Sequence, residues 1–142
     1  MATPRPEFNG FLLRDPASEA IYLIIDGLKC HVPDQLTCNN LFGLSGNDML
    51  QIVTEVVDVN DVSDGLQLTP GAILALRTFN DGSTDQSTYL ISDAGSESQV
   101  KRYIPSPAIM GKYHFNQATY NGTIKPILSF ILDFIPSGTD LA

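Results

Sequence analysis

The chain repeats itself, and a repeat settles the architecture before any single element is considered. Ile21-Tyr22-Leu23-Ile24 lies over Thr88-Tyr89-Leu90-Ile91, and Lys29-Cys30-His31-Val32-Pro33 lies over Lys101-Arg102-Tyr103-Ile104-Pro105. Asn40-Leu41-Phe42 then falls over Lys112-Tyr113-His114, and Val62, Gly65 and Leu68 fall over Ile135, Gly138 and Leu141. The upstream segments 10–14 and 71–77 match in character. Order is kept throughout, with only loop-sized gaps. The reading is one domain, residues 1–142, holding internal repeats at approximately 10–69 and 70–142. An apolar content of 43% against 17% charged residues is enough to build a core and too apolar for a disordered chain.

Each copy reads as three strands and a short helix. The first strand covers Phe11 to Arg14, or Ala72 to Arg77; the second Ala20 to Ile25, or Ser87 to Ile91; the third Leu28 to Val32, or Val100 to Ile104. Asp26-Gly27 accepts positive φ at both positions and predicts a two-residue hairpin. In the second copy the turn expands to Ser92 through Gln99, which is expected to protrude. Asp34 and Ser106 stand where helix N-caps belong, Pro107 suits a first helical position, and Gly43 suits a helix stop. After Thr123, the apolar residues Ile124, Ile127, Leu128, Ile131 and Phe134 recur at helical spacing, with Pro136 and Gly138 beyond. They predict a longer C-terminal helix covering the sheet. Its counterpart, Ile52 to Val62, is rich in valine and suits either a strand pair or a weaker helix near Val59 to Val62; Gln51 to Val57 reads as extended. The fold class is therefore α+β: two pseudo-symmetric antiparallel β-hairpin/short-helix repeats sharing one core, plus that longer helix.

The hairpin register gives the sharpest site inference. A two-residue turn sets Ile24 against Lys29, Leu23 against Cys30, Tyr22 against His31 and Ile21 against Val32. Alternation then puts Tyr22, Ile24, Lys29 and His31 on one face and Ile21, Leu23, Cys30 and Val32 on the other. Tyr89, Ile91, Lys101 and Tyr103 form the matching set. Each copy thus offers an aromatic pair beside a lysine, a combination that stacks a sugar ring and donates to its hydroxyls. The candidate ligand-binding residues are Tyr22, Lys29, His31, Tyr89, Lys101 and Tyr103. The competing expectation is that the tyrosines pack under another element while the lysines reach to water. Arg102 falls on the face of Leu23 and Cys30, so either that face is solvated there or an acid such as Asp133 pairs with it.

Other chemistry is weakly represented. Cys30 and Cys38 read as buried thiols, with a Cys30–Cys38 disulfide left open for an oxidising compartment. A metal site on Cys30, His31 and Cys38 lacks a fourth ligand, and neighbouring strand residues diverge. The acidic stretch Asp58, Asn60, Asp61, Ser63 and Asp64 fails the spacing of a calcium loop and reads as a solvated turn. His31 and His114 stand beside no nucleophile, and no catalytic or nucleotide-binding motif is present. Asn121-Gly122-Thr123 is a glycosylation sequon only in a eukaryotic secretory pathway. No enzyme activity, cofactor or metal is expected. A net charge of −8 repels a phosphate backbone, so nucleic acid is not an expected partner. No apolar run approaches the roughly 18 residues of a membrane span. No signal peptide is visible, which points to the cytoplasm or to export by another route.

Gly10 through Pro33, with Lys101-Arg102-Tyr103-Ile104-Pro105-Ser106-Pro107, resembles a repeat of bacterial surface and secreted proteins. Its core runs Tyr-Leu-hydrophobic, a glycine turn, Lys-Arg-His-Ile-Pro, then a short helix. The first copy departs from it at Cys30, where arginine is expected, and the second at Tyr103, where histidine is expected. That repeat is a non-catalytic accessory often attached to cell-wall hydrolases. The resemblance implies an accessory, interaction-type role. The aromatic–lysine face of each copy makes the first expectation a binding module, lectin-like or cell-surface-binding, with a glycan or surface ligand as partner. The alternative is a structural or assembly protein that contacts other chains or itself as a homo-oligomer.

Overall fold

The structure, a computed structural model, describes residues 2–43, 46–55, 57–65, 67–68, 72–92, 100–115 and 124–142. The expected protruding turn over residues 93–99 and the sequon at 121–123 lie outside the described residues.

The fold is α+β, with two sheets and three short helices among the described residues. The first sheet runs β1 (Leu12–Arg14), β2 (Ile21–Ile25) and β3 (Leu28–His31), all antiparallel. Asp26 and Gly27 take φ of 55° and 80°. Positive φ at both positions matches the turn twist to the strand twist and fixes the register. Tyr22 pairs with His31, Leu23 with Cys30, Ile24 with Lys29 and Ile25 with Leu28, as the dipeptide predicts. Gly27 is also pressed against the N-terminal segment, where an added Cβ would lie 2.9 Å from the Pro6 nitrogen.

The second sheet comprises β4 (Ile73–Thr78), β5 (Thr88–Ser92), β6 (Val100–Ile104) and β7 (Ile124–Leu128), in the order β6-β5-β4-β7. The expected long C-terminal helix is not present. Residues 124–128 form a strand parallel to β4, and only α3 (Ser129–Leu132) is helical. Pro126, opposite Leu76, explains the choice. Proline cannot donate within a ladder, and β7 is an edge strand, where that loss is tolerated. At the corresponding place in the first sheet, Val53 makes a parallel bridge to Leu12, and the Thr54 N–H donates to Leu12 O at 2.8 Å. The extended reading of 51–57 therefore holds at Val53, and a 3-10 turn covers Val59–Asp61.

Helix α1 (Gln35–Phe42) begins at Asp34, whose carboxylate accepts from the Thr37 N–H, and ends at Gly43 with φ 68°. Helix α2 (Pro107–Lys112) begins at Ser106, whose hydroxyl accepts from the Ile109 N–H. Both caps fill a donor that the first helical turn leaves unpaired. The main core lies between the inner faces of both sheets and the two helices. It joins Leu12, Leu23 and Leu41 to Leu74, Leu90, Tyr113 and Phe115. Two smaller clusters cover the outer faces: Leu13, Ile24, Val59 and Val62 on the first sheet, and Ala75, Ile91 and Leu132 on the second.

The outer strands are closed by returning chain. The Lys29 N–H donates to Ser63 O at 2.9 Å, Gly65 N–H to Lys29 O at 2.8 Å and Leu68 N–H to His31 O at 3.0 Å. On the other sheet, Lys101 N–H donates to Pro136 O at 2.8 Å, and Gly138 N–H to Lys101 O and Leu141 N–H to Tyr103 O at 2.9 Å. Gly65 is required by this closure, since a Cβ there would stand 2.8 Å from Leu28 Cβ.

Candidate functional site

Tyr22, Lys29 and His31 do share a side of β2 and β3. The Tyr22 and His31 rings lie 5.4 Å apart, and the Lys29 ammonium stands 5.4 Å from the centre of the tyrosine ring. The Lys29 ammonium also donates to Val59 O at 2.8 Å and pairs with Asp64 at 3.5 Å. On β5 and β6 the Tyr89 and Tyr103 rings lie 5.6 Å apart. Lys101 is buried, and its ammonium donates to Ile135 O. Ile24 and Ile91, between these groups, are buried under the 3-10 turn and α3. Both faces are thus covered by returning chain, and both lysine ammoniums hold backbone carbonyls of that cover. The four rings remain half-exposed.

A residue absent from the sequence-derived set stands over the second tyrosine. The Arg77 guanidinium lies 5.4 Å from the Tyr89 ring centre and donates to the Tyr89 hydroxyl at 3.1 Å. It also donates to the Ser129 hydroxyl and pairs with Asp133 at 3.1 Å. The tyrosine hydrogen bond, then the Asp133 contact, push its pKa up against the opposing effect of burial. Alternation along β4 carried the signal, because Ala75 opposes Tyr89 and Arg77 follows on the same face. Asp133 is therefore not the partner of Arg102. Arg102 reaches Asp26 at the tip of the first hairpin, at 2.9 Å, and donates to Thr139 O at 2.8 Å.

Two clefts flank the sheets at matching places. One lies between the end of β3, the loop before β2 and the start of α1; the other lies between the end of β6, the loop before β5 and the start of α2. Each encloses about 330 Å³. His31 lines the first and Tyr103 the second, followed in each case by a proline, Pro33 or Pro105. The loops enter through Glu19 and Gln86, at φ 65° and 69°, each two residues before the first paired residue of its strand. His31 Nδ1 lies 3.4 Å from Gln67 Oε1. His31 and Tyr103 each line one of these openings, their rings lie against Tyr22 and Tyr89, and Lys29 and Lys101 make internal hydrogen bonds.

Both cysteines are free and buried. Burial pushes the Cys30 thiol up to about 11, so at neutral pH it is not a thiolate nucleophile. Burial raises Cys38 as well. Among the described residues no group of three His, Cys, Asp or Glu side chains is placed to hold a metal ion, and no helix is long and apolar enough to cross a membrane. Among the described residues the large apolar side chains exposed to water are Leu36, Leu50, Phe79, Phe130, Ile131 and Phe134, the last 84% exposed, and Phe79 and Phe130 line one shallow cavity together. No protein-family model matches the chain, and neither a curated protein nor a solved structure matches it.

Proposed function

We propose that this chain is a non-enzymatic binding module, lectin-like or cell-surface-binding, built from two pseudo-symmetric units within one domain. Support for the duplication comes from paired hydrogen bonds. Lys29 and Lys101 are each closed by returning chain in the same pattern, and His31 O and Tyr103 O each accept from a leucine N–H. The leading observation for binding is the pair of equal clefts lined by His31 and Tyr103. In this reading the ligand touches the exposed edges of the aromatic pairs rather than the whole aromatic–lysine face. His31 and Tyr103 make contact, Tyr22 and Tyr89 back them, and Lys29 and Lys101 hold the frame.

A glycan array probed with the wild type, His31→Ala and Tyr103→Ala tests this. Signal that falls in the variants, with thermal midpoints held within a few degrees, supports the reading. Signal unchanged in both variants removes the clefts from recognition.

The exposed apolar side chains Phe130, Ile131 and Phe134, in and just after α3, favour a second reading, assembly with further copies of the chain. It requires a mass that rises with concentration in light scattering and that Phe134→Ser returns to the monomer value. A constant monomer mass removes it.

A further inference from the structure

We infer that the chain is bivalent, each cleft taking one unit of the same neutral, hydroxyl-rich oligomer, so that one molecule holds two units of a polymeric glycan; this rests on the binding reading above. The clefts are built alike from unlike residues. His31 or Tyr103 lines each, and a rigid proline follows two residues on, Pro33 or Pro105. The floor carries a sulfur side chain from the helix, Cys38 or Met110. Glu19 and Gln86 adopt left-handed backbone at the same step of both loops, a conformation that costs non-glycine residues energy and is uncommon.

The lining selects the ligand class. Each cleft sets oxygen-bearing side chains, such as Asp34 or Thr88, against apolar ones, such as Ile21 or Leu76, which suits a molecule with hydroxyls on its edge and C–H groups on its face. Asp34 and Ser106 each cap one N–H at the helix N-terminus beside their cleft. Glu19 and Asp34 in one cleft and Asp85 in the other, on a chain of net charge −8, repel an anionic sugar. A volume of about 330 Å³ lies at the small end of ligand cavities, in keeping with one sugar unit in each cleft. Two sites on one chain make the second contact intramolecular, so a polymer is held more tightly than a single unit.

Calorimetric titration with chitotetraose, cellotetraose and maltotetraose, each a neutral oligomer, tests the count. The expected result is two sites per chain for one of them and at least tenfold tighter binding to the corresponding insoluble polymer than to the tetramer. His31→Ala and Tyr103→Ala each leave one site, and the double variant leaves none. Gln35→Trp and Pro107→Trp, which block the mouths from exposed positions, give the same count without touching either ring. One site in the wild type, or loss of both sites in a single variant, overturns bivalence and leaves the binding reading standing. No heat with any of the three, together with a blank glycan array, overturns both.

Discussion

Lys101 looks in the sequence like a donor aimed at a ligand, yet the residue is 8% exposed and its ammonium donates to Ile135 O. A hydrogen bond from a charged donor contributes about 1.5–3 kcal/mol, and removing it here also strands a carbonyl of the covering segment. Lys101→Ala should therefore destabilise the fold by about 2 kcal/mol in urea denaturation and leave glycan binding intact. Binding lost at unchanged stability would return Lys101 to a ligand site. Buried acids with raised pKa values give a second prediction. Burial raises Cys30 to about 11 and Tyr113 to about 12, against ordinary values of 9.0 and 10.0. Between those pairs of values the folded chain keeps protons that the unfolded chain has lost, so stability falls with rising pH. It should be constant with respect to these groups below about pH 9 and decline from there toward pH 12. Chemical denaturation across that range checks the slope, and Cys30→Ser should reduce it at the lower end.

At the scale of elements, legibility follows how local the determinants are. The first hairpin is legible to the residue because Asp26-Gly27 alone sets its register. Both N-caps were legible for the same reason, since Asp34 and Ser106 act within one turn. Strand β7 was not. Ile124 faces the main core while Ile127 faces the outer cluster, so the strand is apolar on both sides and loses its period of two. The positions 124, 127, 128 and 131 then imitate a helix, and Pro126 was the one residue arguing otherwise. The caps carry a prediction of their own. Asp34→Ala should cost about 1 kcal/mol, whereas Asp34→Asn should cost less because the amide oxygen still accepts from the Thr37 N–H. The Thr37 hydroxyl and N–H hold the Asp34 pKa below its ordinary value. Its contribution is complete above that ordinary value and is lost as pH falls through the lowered one. The acid limb of the stability curve should accordingly be shallower in Asp34→Asn; an unchanged limb would show that the cap carries no charge-dependent part.

At the scale of the molecule, the sequence shows residues that match between the halves, but not the covering of the aromatic–lysine faces. One cover is a 3-10 turn at Val59–Asp61 and the other is α3, and no pairwise match links their sequences. What the matched residues do not reveal either is that the two halves share one interior. Phe42 and Phe115 stack with ring centres 5.8 Å apart, Leu12 and Leu23 join Leu74 and Leu90 in a single cluster, and Arg102 of one half reaches Asp26 of the other. Separating the halves would expose those leucines and both phenylalanines to water, each worth about 1.5–3 kcal/mol of lost burial. That exceeds what a unit of this size has in reserve, since whole domains are stable by only about 5–15 kcal/mol. Neither half should fold alone. Thermal unfolding should be one transition, with far-ultraviolet circular dichroism and tyrosine fluorescence coinciding, and a peptide of residues 1–69 should lack cooperative melting. Phe115→Ala removes the shared ring and should lower both signals together, by about 3–5 kcal/mol. Two resolved transitions, or a loss confined to one half in hydrogen exchange, would mean that the halves are independent units joined only by chain.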